Sequence, residues 1–219
     1  MKSIGEEFMS VIAKTVTIAA VIGLLIVAPA TVEAKSAGDI LVRLRGLSFM
    51  PDVDGTTDIT PNGGSVGAND TFIPEVDFSY FITDNIALEL IAAVTKHDMS
   101  LKSPDLDLGD VWLLPPTLTL QYHFMPKAKF SPYIGAGINW TLFFNEQKST
   151  DITDIAYTNS VGPAFQAGLD MRIDDHWSLN IDVKKVFVQT DVTINFGGVN
   201  AKNVDLDPWI VGFGFGYRF

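Results

Sequence analysis

The sequence contains no cysteine. Disulfide frameworks, zinc–thiolate centres and cysteine nucleophiles are therefore excluded. It is also short of charge, and of positive charge above all. Charged residues make up 19%, with 15 Lys and Arg against 26 Asp and Glu, for a net charge of −11. A nucleic-acid partner requires a basic face, so none is expected. Histidines are few: His97, His123 and His176 fall on different connectors or strand ends. The one local trio, His97-Asp98 near Ser100, has no motif around it, and no glycine-rich phosphate loop occurs. An enzyme, a cofactor and a metal are accordingly not expected. Past the first thirty-four residues there is no run of 18 apolar residues, which rules out a bundle of membrane-spanning helices.

What is present in quantity is aromatic: 15 Phe, 5 Tyr and 4 Trp, far too many for a disordered chain. The apolar run Thr15 to Ala28 follows Lys2 and Lys14 and precedes Pro-Ala-Thr-Val-Glu-Ala. That order reads as a secretory signal peptide over residues 1–34, cut after Ala34. The run is shorter than the roughly 20 residues a spanning helix needs. The mature domain is then 35–219.

Within it, apolar residues recur with period two. Ile40, Val42 and Leu44 alternate with Arg43 and Arg45; Phe78 and Tyr80 with Asp77 and Ser79; Phe213, Phe215, Tyr217 and Phe219 with Gly212, Gly214, Gly216 and Arg218. Eight such segments occur, each with one apolar face, as half-buried strands require. Their connectors alternate between long polar stretches (51–71, 98–111, 145–159, 192–206) and short turns (83–85, 125–129, 174–175). Long loops at one end and short turns at the other characterise outer-membrane barrels.

A soluble sandwich or lipocalin-type barrel alternates in the same way with its apolar face inward. Three features favour the membrane reading. The polar faces carry mixed charges able to pair across a narrow lumen: Arg43, Arg45, Glu75, Asp77, Glu89, Asp170, Arg172, Asp182, Lys184 and Arg218. Aromatics gather at strand ends, with Tyr122, Phe124, Tyr133, Trp177, Tyr217 and Phe219 toward the short turns and Trp112, Phe143, Phe144 and Trp209 toward the long loops. Finally, Tyr217 and Phe219 close the chain with an alternating aromatic end similar to the assembly signal of outer-membrane barrels.

Four segments resemble the outer membrane protein W (OmpW) family: Thr83-Asp84-Asn85-Ile86-Ala87-Leu88-Glu89-Leu90, Leu114-Pro115-Pro116-Thr117, Tyr133 to Thr141, and Leu206-Asp207-Pro208-Trp209-Ile210 with the end Gly216-Tyr217-Arg218-Phe219. The resemblance runs in order from about Gly38 to Phe219. It implies an all-β fold, an eight-stranded antiparallel transmembrane β-barrel of the bacterial outer membrane, and passive entry of small hydrophobic molecules. Lys184 stands where some relatives carry an aromatic residue, which leaves open whether the lumen has an apolar constriction there.

An eight-stranded barrel is narrow, so a wide diffusion pore is unavailable. Arg43, Arg45, Arg172 and Arg218 are expected opposite Glu75, Asp77, Glu89 and Asp170, as a structural plug of paired ions or as a selectivity element. Leu47 and Phe49 share the phase of Arg43 and Arg45, and Val186 and Val188 that of Asp182 and Lys184, so these four would line an apolar upper lumen. Pro115 and Pro116 cannot donate to a strand ladder. Either they end a strand, or with Trp112, Leu113 and Leu114 they border a lateral opening into the membrane. The acidic connectors could bridge cations to lipopolysaccharide phosphates or simply be solvated. Membrane lipid and lipopolysaccharide, the barrel-assembly machinery and small hydrophobic solutes are the expected partners. A structural barrel whose loops bind partners without transport is the competing function.

Overall fold

The computed structural model describes residues 35–52, 56–57, 64–68, 70–102, 105–150, 154–194 and 199–219. The signal peptide expected over 1–34 lies outside them. The strands are β1 (Ile40–Met50), β2 (Thr56–Thr57), β3 (Gly64–Ala68), β4 (Thr71–Phe81), β5 (Ile86–Ala93), β6 (Thr95–Lys102), β7 (Asp105–Leu114), β8 (Thr117–His123), β9 (Phe130–Lys148), β10 (Ile155–Tyr157), β11 (Ser160–Arg172), β12 (Trp177–Val186), β13 (Gln189–Ile194), β14 (Val199–Asp205) and β15 (Trp209–Arg218).

Eight of these close a barrel. β1 pairs with β4, β4 with β5, β5 with β8, β8 with β9, β9 with β11, β11 with β12, β12 with β15, and β15 returns to β1 through Val42↔Tyr217 and Leu44↔Phe215. All eight pairings are antiparallel. Closure leaves no edge strand among the eight, as lipid demands, because an unpaired backbone group there has no water to bond.

The apolar stripes point outward. Leu44 is 58% exposed, Ile138 63% and Phe213 57%, whereas Arg43, Asp77 and Glu89 are fully buried. An isolated soluble protein would have the reverse arrangement. A hydrocarbon exterior reconciles the two: greasy side chains meet acyl chains, and ionic ones are enclosed. On β15 the inward positions are Gly212, Gly214 and Gly216. A Cβ at Gly216 would sit 2.7 Å from Ser178 Oγ and 3.3 Å from Arg43 Cγ, so this glycine side of the barrel makes room for the arginines of β1.

Among the described residues, much of the long connectors is paired strand rather than the open loop expected. β6 and β7 pair from Thr95↔Leu113 upward, β7 runs along β9 as far as Gly109↔Lys148, and β13 pairs with β10 and β14. Their inward residues, among them Met99, Leu108, Val111, Phe143, Val192 and Val204, form one buried apolar cluster with Leu47, Phe49 and Ile210. The strands therefore continue past the membrane because their inner face has a core to bury, although their outer face is polar. Two aromatics expected at the membrane interfaces belong inside instead. Tyr133 is 1% exposed and Phe143 9%, because both occupy the inward phase of β9, opposite to Ile134 and Trp140. Tyr122 and Phe124 (5.1 Å between rings), Trp177 and Tyr217 (5.0 Å), and Tyr217 and Phe219 (4.7 Å) do cluster at the short-turn end. In two of those turns Asp84 and Asp174 are held below the ordinary carboxylate range, Asp84 chiefly by Lys127 and Asp174 by the backbone N–H groups of Trp177 and His176.

Candidate channel and its ion-paired floor

Arg43 and Arg45 are two apart on β1, so both project into the lumen. Across the ladder stand their acids, Arg43↔Asp77 and Arg45↔Glu75. Arg43 Nη1 lies 2.9 Å from Asp77 Oδ1 and 3.3 Å from Glu89 Oε1, and its Nη2 lies 3.0 Å from Asp170 Oδ2. The guanidinium also sits 5.4 Å over the Tyr133 ring. Arg45 Nη2 reaches Glu75 Oε1 at 2.6 Å, Asp77 Oδ2 at 2.8 Å and Glu89 Oε1 at 3.3 Å.

Most of the remaining lone pairs are taken by neighbours, while Asp77 Oδ2 and Asp182 Oδ1 make ion-pair contacts to Arg45 without a hydrogen bond. Gln166 and Thr119 donate to Glu89 Oε2 at 2.6 and 2.9 Å. Asn180 donates to Asp170 Oδ1 at 2.8 Å, and the Tyr133 hydroxyl to Asp182 Oδ2 at 2.8 Å. Lys184 donates to both oxygens of Glu75, at 2.7 and 2.8 Å. A buried charge is tolerable only when paired, and each of these charges has at least one ionic partner within the barrel.

Eight of the ten polar-face charges singled out from the sequence thus meet in one network: Arg43, Arg45, Glu75, Asp77, Glu89, Asp170, Asp182 and Lys184. Arg172 and Arg218 do not join it. Each occupies the last position of its strand, with the right phase but at the short-turn mouth. Arg218 pairs with Asp39 at 2.9 Å and donates to the Asp175 carbonyl at 2.6 Å. Arg172 lines the cavity at that mouth. Lys184 and Asp182 stand among the charges expected to pair but outside the four-against-four scheme, and Tyr133 and Lys35 are not expected in the network at all. The phase of Lys184 and Asp182 was visible in the alternation. That of Tyr133 was equally visible, but its aromatic character drew it to the girdle. Lys35 precedes the first strand and carries no periodic signal.

Above the network the lumen changes character. Leu47, Phe49, Val186 and Val188 all face inward, each buried, and line one pocket with Ile73, Ile91, Leu113, Leu206 and Ile210. Its cavity volume is about 30 Å³, so apolar side chains nearly fill it and must part to admit a solute, and its polar lining is Glu75, Lys184, Thr117, Asn139 and Thr141. Lys184 therefore caps the plug from above, and the apolar section begins immediately over it.

The five residues named for a lateral opening divide between two surfaces. Leu113 and Pro115 line the pocket; Trp112 turns the other way and packs 6.4 Å from Phe144. Leu114 and Pro116 are half-buried. Toward β9 the wall is closed, since Trp140 N donates to the Pro116 carbonyl at 2.9 Å and Asn139 to that of Pro115 at 3.3 Å. Toward β5 it is not laddered. Pairing stops at Ile91↔Thr117 and resumes at Thr95↔Leu113, so Ala92, Ala93 and Val94 pass Leu114, Pro115 and Pro116 without register. On the far side of the same segment the β4–β5 ladder ends at Glu75↔Ala93.

Comparison with known proteins agrees with this architecture. The OmpW family model matches residues 36–219. The chain belongs to the OmpW family. It is 43% identical over 199 residues to an uncharacterized outer-membrane protein, y4mB, of Sinorhizobium fredii, covering 88% of this chain and 86% of that one. It is 34% identical to outer membrane protein W of Escherichia coli, covering 85% and 91%. A dibenzothiophene metabolism operon protein, PahQ, of Pseudomonas aeruginosa is 30% identical, covering 72% and 76%. Among solved structures, the outer membrane protein OprG of Pseudomonas aeruginosa superposes with a TM-score of 0.81 at 29% identity, covering 86% of this chain and 99% of that one. The protein is an outer-membrane β-barrel of the OmpW and OprG type.

Proposed function

We propose that this barrel admits small hydrophobic molecules passively through its apolar upper pocket and releases them sideways into the membrane. The observation that carries this reading is vertical order: an apolar pocket stands directly on an ion-paired floor. A solute that enters from the long-connector end is favoured by apolar contact and then meets buried, ion-paired charges that an apolar molecule cannot pass. The unladdered segment beside Pro115 and Pro116 touches the pocket and gives a route through the wall that needs few bonds to part. A relative encoded among genes of dibenzothiophene metabolism is in keeping with an apolar solute. The barrel is read as non-catalytic. Its outer wall meets lipid and lipopolysaccharide, and the terminal Tyr217 and Phe219, both on the wall at the short-turn end, would present the chain to the barrel-assembly machinery.

A structural barrel that only displays its connectors would favour a lumen blocked from end to end. The apolar upper half argues for transport instead. Uptake of a nonpolar fluorescent tracer decides between them, measured in cells lacking the gene and in cells complemented with it. Complementation should raise the initial rate several-fold. Equal rates would overturn the transport reading. Replacing Pro115 and Pro116 with threonine should restore strand pairing and lower the rate; an unchanged rate would overturn the lateral route alone.

A further inference from the structure

We propose that Lys35 is a cork: its ammonium seals the short-turn mouth of the lumen against water and ions. Lys35 lies outside any strand, yet its side chain is only 10% exposed. Its Nζ lies 2.6 Å from Asp170 Oδ2, 3.1 Å from His123 Nδ1 and 3.3 Å from Ser131 Oγ. These partners belong to β11, β8 and β9, and the ammonium also stands 5.6 Å from the centre of the Phe81 ring on β4. One flexible side chain thus ties four barrel strands together across the axis.

The chain is built to deliver it there. Gly38 adopts φ +98, a left-handed conformation that glycine accepts without strain, and so turns the segment before β1 back over the mouth. Gly38 N donates to the Phe81 carbonyl at 2.8 Å, and Ala37 N to Asp84 at 3.1 Å, which pins the turn. Beneath the arginines, the rings of Phe81 and Tyr133 flank His123, each 4.9 Å from it. His123 accepts from Lys35 at Nδ1, so its Nε2 carries the proton toward Gln121, 3.0 Å away. Lys35 also supplies charge. Among the described residues, the buried acids Glu75, Asp77, Glu89, Asp170 and Asp182 otherwise share the buried cations Arg43, Arg45 and Lys184. Cleavage after Ala34, as the sequence suggests, would leave this lysine as the first residue, free to fold into the mouth.

The absence of native cysteine makes the test clean. Ser79 lies within the lumen, fully buried, its hydroxyl 2.9 Å from Arg43. Ser79→Cys in lipid nanodiscs is treated with a charged, water-soluble maleimide. With Lys35 in place the thiol should react slowly. Adding Lys35→Ala should speed labelling at least tenfold, whereas Lys35→Arg should keep it within about twofold of the parent. Equal rates with and without the Lys35 side chain would overturn the proposal. Should Lys35→Ala fail to fold, the wild-type barrel is acylated with a water-soluble ester and its lysines compared by mass spectrometry. Lys35 should react at least tenfold more slowly than Lys127, whose side chain is 68% exposed; equal reactivity would likewise overturn it.

Discussion

Two arginines on the same inward phase should behave very differently when removed. Arg45 lies fully buried against Glu75, Asp77 and Glu89, and Asp182 is 3.7 Å away. Replacing it with methionine keeps the bulk of the stem and deletes the charge. Glu75 retains Lys184, and Glu89 retains Arg43 and Gln166, but Asp77 Oδ2 loses its 2.8 Å partner outright. A buried acid left with an incomplete partner set costs about 3–5 kcal/mol. Arg218→Met is the control. Its pair with Asp39 and its hydrogen bond to the Asp175 carbonyl lie at the rim, where the side chains are partly solvated, so their loss should cost less, about 1–2 kcal/mol. The assay is reversible denaturant unfolding of barrels refolded into lipid vesicles, followed by tryptophan fluorescence. The double variant Arg45→Met with Asp77→Asn should be less destabilised than the sum of its parts, because the acid that loses its partner is then itself neutral. If Arg45→Met cost no more than Arg218→Met, the floor would be a hydrated, loosely paired region, and the reasoning from a dry plug would fail.

Other consequences can be checked in the same preparations. Leu47→Gln places an amide in the apolar pocket and should lower tracer uptake about tenfold while heat-dependent migration on gels stays that of a folded barrel. Gly216→Val should destabilise by about 1–3 kcal/mol through overpacking against Ser178 and Leu41, seen as a lower denaturation midpoint. Asp174 accepts from His176 N and Trp177 N, both at 2.8 Å, and Asp174→Ala should loosen that turn, raising amide exchange at Trp177 without altering uptake. Because the Asp174 carboxyl is held below its ordinary range, the turn's contribution is complete at neutral pH and fades only as acid protonates it in the folded state.

Much of this protein was legible from its amino acids alone. The period-two stripes located all eight barrel strands, the alternation of short and long connectors set which end is which, and mixed charges on one phase announced an ionic interior. Resemblance to a family followed from four segments. What alternation could not state was direction: Leu44 and Arg43 trade faces in a lipocalin-like barrel without a change of residue. The closed ladder and the exposure of the apolar stripe resolve it. Nor does phase give depth. Strands in a barrel are sheared past one another, so residues of equal phase can lie on different levels, as Arg43 and Arg218 do. The continuation of strands into the long connectors depended on inward residues such as Met99 and Val192 finding a shared core, which is a property of neighbours brought together only by folding. Lys35 is the extreme case. Its place at the mouth is decided by three partners far along the chain, on β8, β9 and β11, and no local pattern could have pointed to it.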